Sequence, residues 1–403
     1  MKVNRIKNSS RCDPSTHSGP RVPPSAGSNG SKPSGGANPA GAIPKCNPAA
    51  KQRSIFSNGV KVVSFLLLFF PVMDGVLKGG EPVLPEPVIT IAAVGDIMMG
   101  TDYPSSQLPK KDGSDLFTEA TGILKRADVV FGNLEGVLYD EGSPAKTKEG
   151  SYAFRTPTKF VKNLVNSGFN ILSLANNHAW DFGYEGMSST KRTLDRAGIK
   201  YSSKAGEIAE FGINGLKIGL VAFSFGSPPR SVVHPDSALR EIGSLSVNYD
   251  IFIVSVHGGS EGMPALHVKN ESEFFVGEPR GNLVEFAHEA VERGADLILA
   301  HGPHVPRAVE VYKKRLIAYS LGNFCTYGGM SLDGKMGYAP ILWVELNKNG
   351  EFIRGRIYSF VQAHRGGPKR DEEERAWNLI RKLSQEDFPE TSPLFRMREI
   401  VPR

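Results

Sequence analysis

The sequence predicts an α/β protein in which two β-sheets pack as a sandwich flanked by helices. Between residues 88 and 300, short runs rich in β-branched residues alternate with segments whose apolar residues recur at helical spacing. Between residues 308 and 361, strand patterns follow one another with no helical pattern between them. The first arrangement is typical of a sheet with crossover helices, and the second of an antiparallel sheet packed against it.

The elements follow in chain order. Val88–Val94 is almost wholly apolar, as expected of a strand that is covered on both faces. The other strands predicted for the first sheet are Asp128–Gly132, Ile171–Leu174, Lys217–Ala222, Ile251–Val256 and Leu297–Ala300. The predicted helices are Phe117–Arg126, Thr158–Ser167, Gly186–Ala197 and Leu283–Arg293. The strands predicted for the second sheet are Ala308–Tyr312, Arg315–Ser320, Ile341–Leu346 and Phe352–Val361.

The two ends of the chain differ from this central part. Residues 363–403 are predicted to form one amphipathic helix and a tail. Residues 1–53 are predicted to be a disordered basic leader, because residues 13–50 are mostly Pro, Gly, Ser, Ala and Asn and cannot bury enough apolar surface to offset the entropy of ordering. The single folded domain is therefore expected within residues 86–362.

The charge of the chain is concentrated in the leader. Nine of the 48 Lys and Arg residues and one of the 42 acidic residues lie in residues 1–53, which leaves 39 basic against 41 acidic residues in the remainder. The formal net charge of +6 thus comes from the leader. The near-neutral remainder has no electrostatic footprint for a polyanion, so we expect no nucleic-acid partner.

An apolar stretch follows the leader. Residues 62–73 are mostly apolar, are preceded by Lys51, Arg53 and Lys61, and are followed by Asp74. This length fits the apolar region of a secretion signal better than the ~20 residues of a membrane-spanning helix. Residues 54–78 are therefore predicted to be a signal sequence or, since no clear small-residue cleavage site follows, an uncleaved membrane anchor. We expect an exported protein that is membrane-associated or otherwise extracytoplasmic.

The three cysteines predict neither a disulfide framework nor a thiolate metal site. Cys12 and Cys46 lie in the leader, and Cys325 stands alone in the folded part. Any metal ion must therefore be held by oxygen and nitrogen ligands.

Unusual polar residues come directly after predicted strands. Ligands of open α/β sheets gather outside the carboxyl ends of the strands, so side chains at these positions are expected to meet. Asp96 follows the first strand in a glycine-flanked turn, and Glu135 follows the second in Gly-Asn-Leu-Glu-Gly. Taken singly, the first turn is as often structural as functional, and Asn133 in the second could simply cap the next segment.

The most informative cluster follows Ile171–Leu174 and contains two amides, a histidine and a carboxylate. Asn177 offers a carbonyl ligand, and His178 offers a nitrogen ligand or a general acid. Asp181 offers a carboxylate that would fix the tautomer of the imidazole. The alternative is a turn that contains one satisfied histidine.

Three further histidines complete the set of candidate ligands. His257 comes at the end of a predicted strand, where a lone histidine would ordinarily be a core or rim residue, and only its position makes it a candidate. His301 and His304 are three residues apart across a turn that contains proline, so both can point at one centre. Carboxylates, an amide and imidazoles without thiolates suit Mn, Fe, Zn or Mg. Because such ions activate water for hydrolysis, the sequence predicts a metal-dependent hydrolase.

The same residues carry a family resemblance. Taken in order, their motifs resemble those of the CapA family of poly-γ-glutamate capsule synthesis proteins, and Tyr-Ser-Leu-Gly-Asn-Phe is the most specific of them. The CapA family looks like a branch of the calcineurin-like metallophosphoesterases, so the resemblance implies a metallophosphoesterase-like two-sheet sandwich. The motifs are Ala93–Asp96, Gly132–Glu135, Leu174–His178 with Asp181 and Gly183, Ser255–His257, Gly294–Asp296, His301–Val305 and Ala318–Phe324.

The resemblance implies a role for each position. Asp96 and His304 would bind a first metal ion, and Glu135 would stand where a bridging aspartate is usual. His178 would protonate the leaving group. The ligands of a second ion would be Asn177, His257 and His301.

The chain departs from the phosphoesterase pattern at three positions. Met98 stands where that pattern has a histidine, and Glu135 is longer than the usual aspartate. Gly302 replaces a residue that is often histidine in CapA relatives. The number of bound divalent ions is therefore left open at one or two.

Two functions are compatible with these residues. The first is a metal-dependent hydrolase of the cell surface, acting on or near an anionic polymer such as poly-γ-glutamate, with the membrane and capsule-synthesis subunits as partners. The second is a non-catalytic polymer-binding or assembly subunit that keeps the fold, which Met98 would allow. The retained His178 and Asp181 favour the hydrolase, because a scaffold needs neither. A nucleic-acid-processing phosphoesterase would lack a basic groove and would conflict with an exported leader.

Overall fold

The structure is a computed structural model that describes residues 88–145, 152–226 and 230–403. The predicted leader, residues 1–53, and the predicted signal sequence or anchor, residues 54–78, lie outside the described residues. Within the described ranges, no helix is both long enough and apolar enough to cross a membrane.

Strands and helices alternate along most of the described chain. The helices are α1 Thr118–Leu124, α2 Val161–Ser167, α3 Gly183–Ala197, α4 Asp236–Ser246, α5 Leu283–Glu292 and α6 Arg375–Asp387. The strands are β1 Val88–Met98, β2 Val129–Leu134, β3 Val137–Leu138, β4 Arg155–Thr156, β5 Ile171–Ser173, β6 Lys200–Ser202, β7 Ala209–Ile213, β8 Leu216–Ser224, β9 Ile251–His257, β10 Glu273–Phe275, β11 Glu278–Gly281, β12 Leu297–His301, β13 Val309–Tyr312, β14 Arg315–Ala318, β15 Asn323–Thr326, β16 Ile341–Asn347, β17 Phe352–Tyr358, β18 Phe360–Val361, β19 Lys369–Arg370, β20 Leu394–Arg396 and β21 Glu399–Val401.

The larger sheet runs in the order β20-β21-β17-β16-β1-β2-β5-β6. Strands β1, β2, β5 and β6 are parallel, whereas β16, β17, β21 and β20 are antiparallel to their neighbours. Pairing between β1 and β16 ends at Val94, and β15 then pairs in parallel with β1 from Asp96 to Met98. The carboxyl end of β1 therefore lies between two parallel neighbours, β2 and β15.

The smaller sheet runs in the order β13-β14-β12-β9-β8-β7. Its four inner strands, β14, β12, β9 and β8, are parallel, and the two edge strands are antiparallel to them. His257 and His301 are register partners at the carboxyl ends of β9 and β12.

The two sheets pack face to face, and helices cover their outer faces. Ile89 and Ile91 of β1 belong to a buried core that also contains Ile253 of β9 and Leu299 of β12, so this core lies between the sheets. The alternate residues of β1, such as Ala92, belong to a second core with α1, α2 and α3. A third core joins the smaller sheet to α4 and α5. The strands are apolar on both faces because both faces are covered.

Helix α5 shows how the local sequence sets these elements. Apolar residues recur along one face of the helix and are buried against the smaller sheet. Asn282 precedes the helix, and its side-chain oxygen accepts the backbone N–H of Glu285, which caps the first turn. The predicted helix Leu283–Arg293 is confirmed to within one residue.

The predicted two-sheet α/β sandwich flanked by helices is confirmed, but the predicted assignment of strands to sheets is wrong. Strands β1, β2 and β5 belong to the larger sheet, whereas β8, β9 and β12, predicted for the same sheet, form the smaller one. The strands predicted as a separate antiparallel sheet are divided as well: β16 and β17 extend the larger sheet, and β13 and β14 the smaller. Local sequence patterns identify strands but do not encode their partners, which lie far apart in the chain.

The C-terminal residues contribute more than the predicted helix and tail. Helix α6 forms as expected, at Arg375–Asp387. The segment predicted as a tail instead forms β20 and β21, and β21 pairs with β17 at the edge of the larger sheet. Ile400 of β21 is fully buried in the core between the sheets.

Candidate metal centre

Asp96 lies at the point where β1 changes its neighbour from β16 to β15. Its backbone N–H donates to the carbonyl of Gly322 at 2.9 Å. A Cβ atom at Gly95 would lie 1.9 Å from the same carbonyl oxygen, so this close approach of two backbones requires glycine. Asn133 of β2 and Asn323 of β15 are the register partners of Asp96. The carboxylate of Asp96 is thus placed between two asparagines and has no exposed surface.

Three buried side chains converge beside the end of β1. Asp96, Glu135 and His257 each place one potential ligand atom within 4.8 Å of the other two. Asp96 and Glu135 come from the larger sheet and the segment after β2, whereas His257 ends β9 of the smaller sheet. The cluster therefore joins the two sheets at one end of the sandwich.

His301 and His304 lie next to this cluster. The Nδ1 atom of His301 is 3.7 Å from Oδ1 of Asp96. The Nδ1 atom of His304 is 3.0 Å from Oδ2 of Asp96, and its Nε2 atom is 3.9 Å from Oε1 of Glu135. Five of the six predicted metal ligands are thus close together. The sixth, Asn177, lies in the wall of the adjoining pocket, together with His304.

His304 is held in an unusual conformation. Its φ of 57° lies in the left-handed region, which residues with a side chain rarely adopt. The Nδ1–H group can donate to Oδ1 of Asn323 at 3.1 Å, and Nδ2 of Asn323 donates to the carbonyl of His304 at 3.3 Å. Asn323 therefore fixes both the ring and the backbone of His304, and such local strain persists only where the surroundings determine it.

His178 forms a pair with Asp181. Its Nδ1–H group donates to Oδ2 of Asp181 at 2.8 Å, and the same oxygen accepts the backbone N–H of Phe154 at 2.8 Å. The ring of His178 packs against that of Phe154, with 4.4 Å between the centroids. Asp181 is fully buried, so it holds the imidazole in one orientation with Nε2 available for a partner.

A chain of side-chain amides connects His178 to Asp96. Asn176 accepts the backbone N–H of His178 at 3.1 Å and donates to Oδ1 of Asn133 at 3.0 Å. Asn133 donates to Oδ1 of Asp96 at 2.8 Å, and its Nδ2 atom is 3.4 Å from Nδ1 of His257. These contacts fix the turn that carries His178 relative to the carboxylate of Asp96.

The carboxyl groups have opposite pKa shifts. Burial alone would raise the pKa of Asp96, but the hydrogen bond and positive charge of His304 outweigh it and hold that pKa below its ordinary value. Burial, and then the charge of Asp96, raise the pKa of Glu135 well above its ordinary value. Two carboxylates so close together cannot both stay ionised without a compensating positive charge.

The histidines also differ from one another. Burial lowers the pKa of His301 to about 4 and that of His257 well below its ordinary value. Burial would also lower the pKa of His304, but the charge of Glu135 and the hydrogen bond to Asp96 raise it to about 10. His257 and His301 are therefore neutral at pH 7, which is the state in which imidazole binds a metal. His304 carries a proton that another positive charge could replace.

Several buried polar atoms of the cluster lack a hydrogen bond to the described residues. They are both carboxylate oxygens of Glu135, Nε2 of His257 and both ring nitrogens of His301. Unpaired buried polar atoms are costly, and they are found together where a ligand completes the site. Carboxylate oxygens and imidazole nitrogens are ligands that Mn, Fe and Zn accept, so the donor set fits a divalent metal ion.

Met98 does not belong to the cluster. Its side chain is fully buried, its sulfur accepts the backbone N–H of Gly100 at 3.3 Å, and a Cβ atom at Gly329 would collide with its terminal methyl group. The position at which the phosphoesterase pattern has a histidine ligand is therefore filled by a core residue. This leaves one ligand fewer for a first ion.

Three asparagines in the site were not predicted as functional residues. All three lie in motifs that carry the family resemblance, but the resemblance assigns a role to none of them. The structure places all three in hydrogen bonds to Asp96, His178 or His304. Asn133 is the next-to-last residue of β2, Asn176 comes three residues after β5, and Asn323 begins β15. The first two lie at the carboxyl ends of parallel strands, which is a signal that could have found them.

Comparisons with known proteins agree with the motifs. The family model described as bacterial capsule synthesis protein PGA_cap matches residues 90–327. The capsule biosynthesis protein CapA of Bacillus anthracis is 30% identical over 295 residues, which is 70% of this chain and 69% of that protein. The PGA biosynthesis protein CapA of Bacillus subtilis (strain 168) is 29% identical over 283 residues, which is 66% of this chain and 70% of that protein.

Among solved structures, the chain is similar to the NAD nucleotidase NadN of Haemophilus influenzae, with a TM-score of 0.38 and 12% identity. This similarity covers 74% of this chain and 63% of that one, and it is too distant to support an inference. The family model, in contrast, spans every candidate ligand from Asp96 to His304 and the motif that contains Asn323. The predicted CapA resemblance is confirmed, and the chain belongs to the bacterial capsule synthesis protein PGA_cap family.

Proposed function

We propose that this chain is a metal-dependent hydrolase of the cell envelope that acts on or near an anionic polymer such as poly-γ-glutamate. The observation that carries the proposal is the buried cluster of Asp96, Glu135 and His257, in which both oxygens of Glu135 lack a hydrogen bond to any described residue. A purely structural cluster would be expected to satisfy these atoms. The names of the relatives support the link to the polymer.

The residues of the centre divide into metal ligands and groups that handle protons. The side chains that would hold a divalent ion are Asp96, Glu135, His257, His301 and His304, with Asn177 beside them. Such an ion, when bound, polarises the scissile bond and supplies hydroxide near neutral pH. His178 lines the adjoining pocket and is oriented by Asp181, which supports a role for its Nε2 atom as the proton donor to a leaving group.

Two separate lines of support point to different bonds as the one that is cleaved. The metallophosphoesterase resemblance favours a phosphoester, whereas the polymer favours an amide. An envelope location, contact with the membrane and association with capsule-synthesis subunits are part of the same proposal. The relatives' names, which refer to capsule and PGA biosynthesis, support them.

A second candidate function is a non-catalytic subunit that binds or assembles the polymer. The observation that favours it is the burial of Met98 in the core, which removes one ligand from the phosphoesterase pattern. In this case neither the cluster nor His178 would have a role in turnover.

The test combines metal analysis with assays of turnover on the full-length chain. We expect stoichiometric metal by elemental mass spectrometry, and its loss in Asp96→Ala and His304→Ala because each removes a ligand. His178→Ala should keep the metal but lower kcat by about 10²- to 10⁴-fold, since general acid catalysis contributes that much. Substrates are phosphodiesters, phosphomonoesters and γ-glutamyl amides, assayed in parallel.

His267→Ala is the matched control. His267 also forms a hydrogen bond through Nδ1 to an aspartate, at 2.7 Å to Asp387, but it is largely exposed and does not line the pocket. It should leave both metal content and turnover unchanged. A protein that stays metal-free in excess Mn²⁺ or Zn²⁺ and cleaves none of the substrates would contradict the hydrolase and support the binding subunit.

A further inference from the structure

Two pockets of similar size share Asn177 in their walls. One, of about 340 Å³, is lined by His178, His304, Phe154, Phe275, Met330 and Met336, and we name it the histidine pocket. The other, of about 370 Å³, is lined by Trp180, Ser203, Lys204, Phe225 and Arg230, and we name it the Lys204 pocket. Asn177 lines both of them.

The histidine pocket has no lysine or arginine of its own. No Lys or Arg occurs among the described residues that line it, and five of its twelve lining residues are Tyr, Phe or Met. Its one carboxylate, Glu261, is paired with Arg280 at 2.7 Å, so that charge is balanced. Any cationic partner that this pocket offers a carboxylate would therefore belong to the metal centre, through His304 or a bound ion.

The Lys204 pocket contains cations that do not belong to the metal centre. Three cations, Lys191, Lys204 and Arg230, stand at or next to it, and they face two carboxylates, Glu207 and Glu241. The local charge is therefore +1. An excess of one positive charge beside a concave surface attracts anions.

Lys204 carries the charge that is least engaged within the protein. Glu207 Oε1 lies 2.5 Å from Nζ of Lys191 but 3.8 Å from Nζ of Lys204. Arg230 is buried and donates to Glu241 at 2.7 Å, whereas the side chain of Lys204 is 65% exposed. The ammonium group of Lys204 is therefore free to turn towards a ligand.

Trp180 adds a flat apolar surface to the same pocket. It is 44% exposed, unusually high for tryptophan, and it lies between His178 and Asp181 on the turn that carries the proton-transfer pair. A tryptophan face next to a lysine suits a chain that has both methylene groups and carboxylates.

We propose that the Lys204 pocket binds a carboxylate-bearing segment of the substrate, next to the metal centre but not part of it. This assignment rests on the proposed function for the position of the scissile bond beside Asn177. The binding of a carboxylate chain by Lys204 and Trp180 does not depend on turnover and can be measured alone.

The test is a fluorescence titration of the full-length chain, treated with chelator to stop turnover, with a short γ-linked glutamate oligomer. Trp180 is more exposed than Trp343 and Trp377, so its emission should report on the pocket. We expect a saturable change in the wild type that is lost in Trp180→Phe. Lys204→Glu should raise Kd at least about tenfold by replacing attraction with repulsion, and Lys204→Gln should raise it less.

Lys382→Glu is the matched control for Lys204→Glu. Lys382 is 69% exposed and lies 3.8 Å from Glu386 on α6, which reproduces the exposure and the weak ion pair of Lys204 away from the pocket. It should leave Kd unchanged. Equal weakening by both variants would mean that only general charge attraction operates, and no saturable change in the wild type would mean that the pocket does not bind this chain. Either result overturns the inference.

The inference and the proposed function can fail separately. Saturable binding that depends on Lys204, in a protein that cleaves no substrate, would support the pocket and refute the hydrolase. Cleavage of a carboxylate-bearing substrate with the same KM in Lys204→Glu and the wild type would support the hydrolase and overturn the pocket assignment.

Discussion

Glu135 is buried next to Asp96, and this proximity affects stability as well as metal binding. Burial and the charge of Asp96 keep its pKa well above the ordinary range, although the charge of His304 acts in the opposite direction. The ionised form of Glu135 is therefore costly in this position, and a divalent ion bound here would lower that cost. Natural sites often keep a stability cost of this kind where a ligand later binds.

Replacing the carboxylate of Glu135 by an amide separates its effect on stability from its role in metal binding. In chelator, Glu135→Gln should leave the free energy of unfolding unchanged or raise it by about 1–2 kcal/mol, since repulsion between two carboxylates is removed. Excess Mn²⁺ or Zn²⁺ should stabilise the wild type by about 2.7 kcal/mol at 100 times Kd, but should not stabilise the variant. Thermal unfolding with and without metal measures both.

Glu289→Gln, on the exposed side of α5, is the control and should respond to metal as the wild type does. A Glu135→Gln protein that gains as much stability from metal as the wild type would show that Glu135 is not a ligand.

At the level of single residues, the sequence was sufficient to predict which side chains meet where the residue type has few purely structural uses. Asp96, Glu135, His257, His301 and His304 were predicted because ionisable residues at strand ends seldom serve packing alone, and the structure brings them together. The supporting asparagines were missed because asparagine is common at caps and turns. Its type and local position do not distinguish an asparagine that caps a helix or a turn from one that orients a metal ligand. The catalytic role of His178 and Asp181 stays a prediction.

The first turn of α5 shows how much one cap contributes to an element. Asn282→Ala removes the acceptor of the Glu285 N–H and should lower the free energy of unfolding by about 1 kcal/mol. Asn166→Ala, the same substitution inside α2 at an exposed position, should instead raise it by a few tenths of a kcal/mol, because alanine has the higher helix propensity. Urea denaturation compares the two. A change of the same sign in the free energy of unfolding of both variants would show that Asn282 does not stabilise α5 as a cap.

Helices and strands were predicted more reliably than their partners. The apolar spacing that defines α1, α3 and α5 is contained within each segment, so the sequence alone was sufficient to predict these helices. Helix α4 was missed. The predicted division of strands between the two sheets was wrong. Strand β16 pairs with β1 although the two strands are far apart in the sequence, and no local pattern records such a pairing.

The C-terminal strands complete the molecule at the edge of the larger sheet. Ile400 of β21 fills the space that Gly355 of β17 leaves open, because a Cβ atom at Gly355 would lie 2.9 Å from Cγ1 of Ile400. An unpaired strand β17 would also expose backbone groups to other chains. The last residues of the chain are therefore part of the sandwich.

Truncating this side chain tests that conclusion. Ile400→Ala should lower the free energy of unfolding by about 2–5 kcal/mol, the usual cost of a large-to-small change in a core. Ile353→Ala, at a residue of β17 that is 37% exposed, should cost less than half as much. Denaturant unfolding measures both, and equal small losses would show that the C-terminal strands are dispensable for the core.

The position of the centre between the two sheets also matters for the order of folding. Asp96 comes from one sheet and His257 and His301 from the other, so a chain with only one sheet formed has an incomplete set of ligands. Interactions that form after the transition state change the unfolding rate and leave the folding rate unaltered. If the set of ligands assembles after the transition state, a metal ion held by this centre would slow unfolding. It would then lengthen the lifetime of the native state without speeding folding.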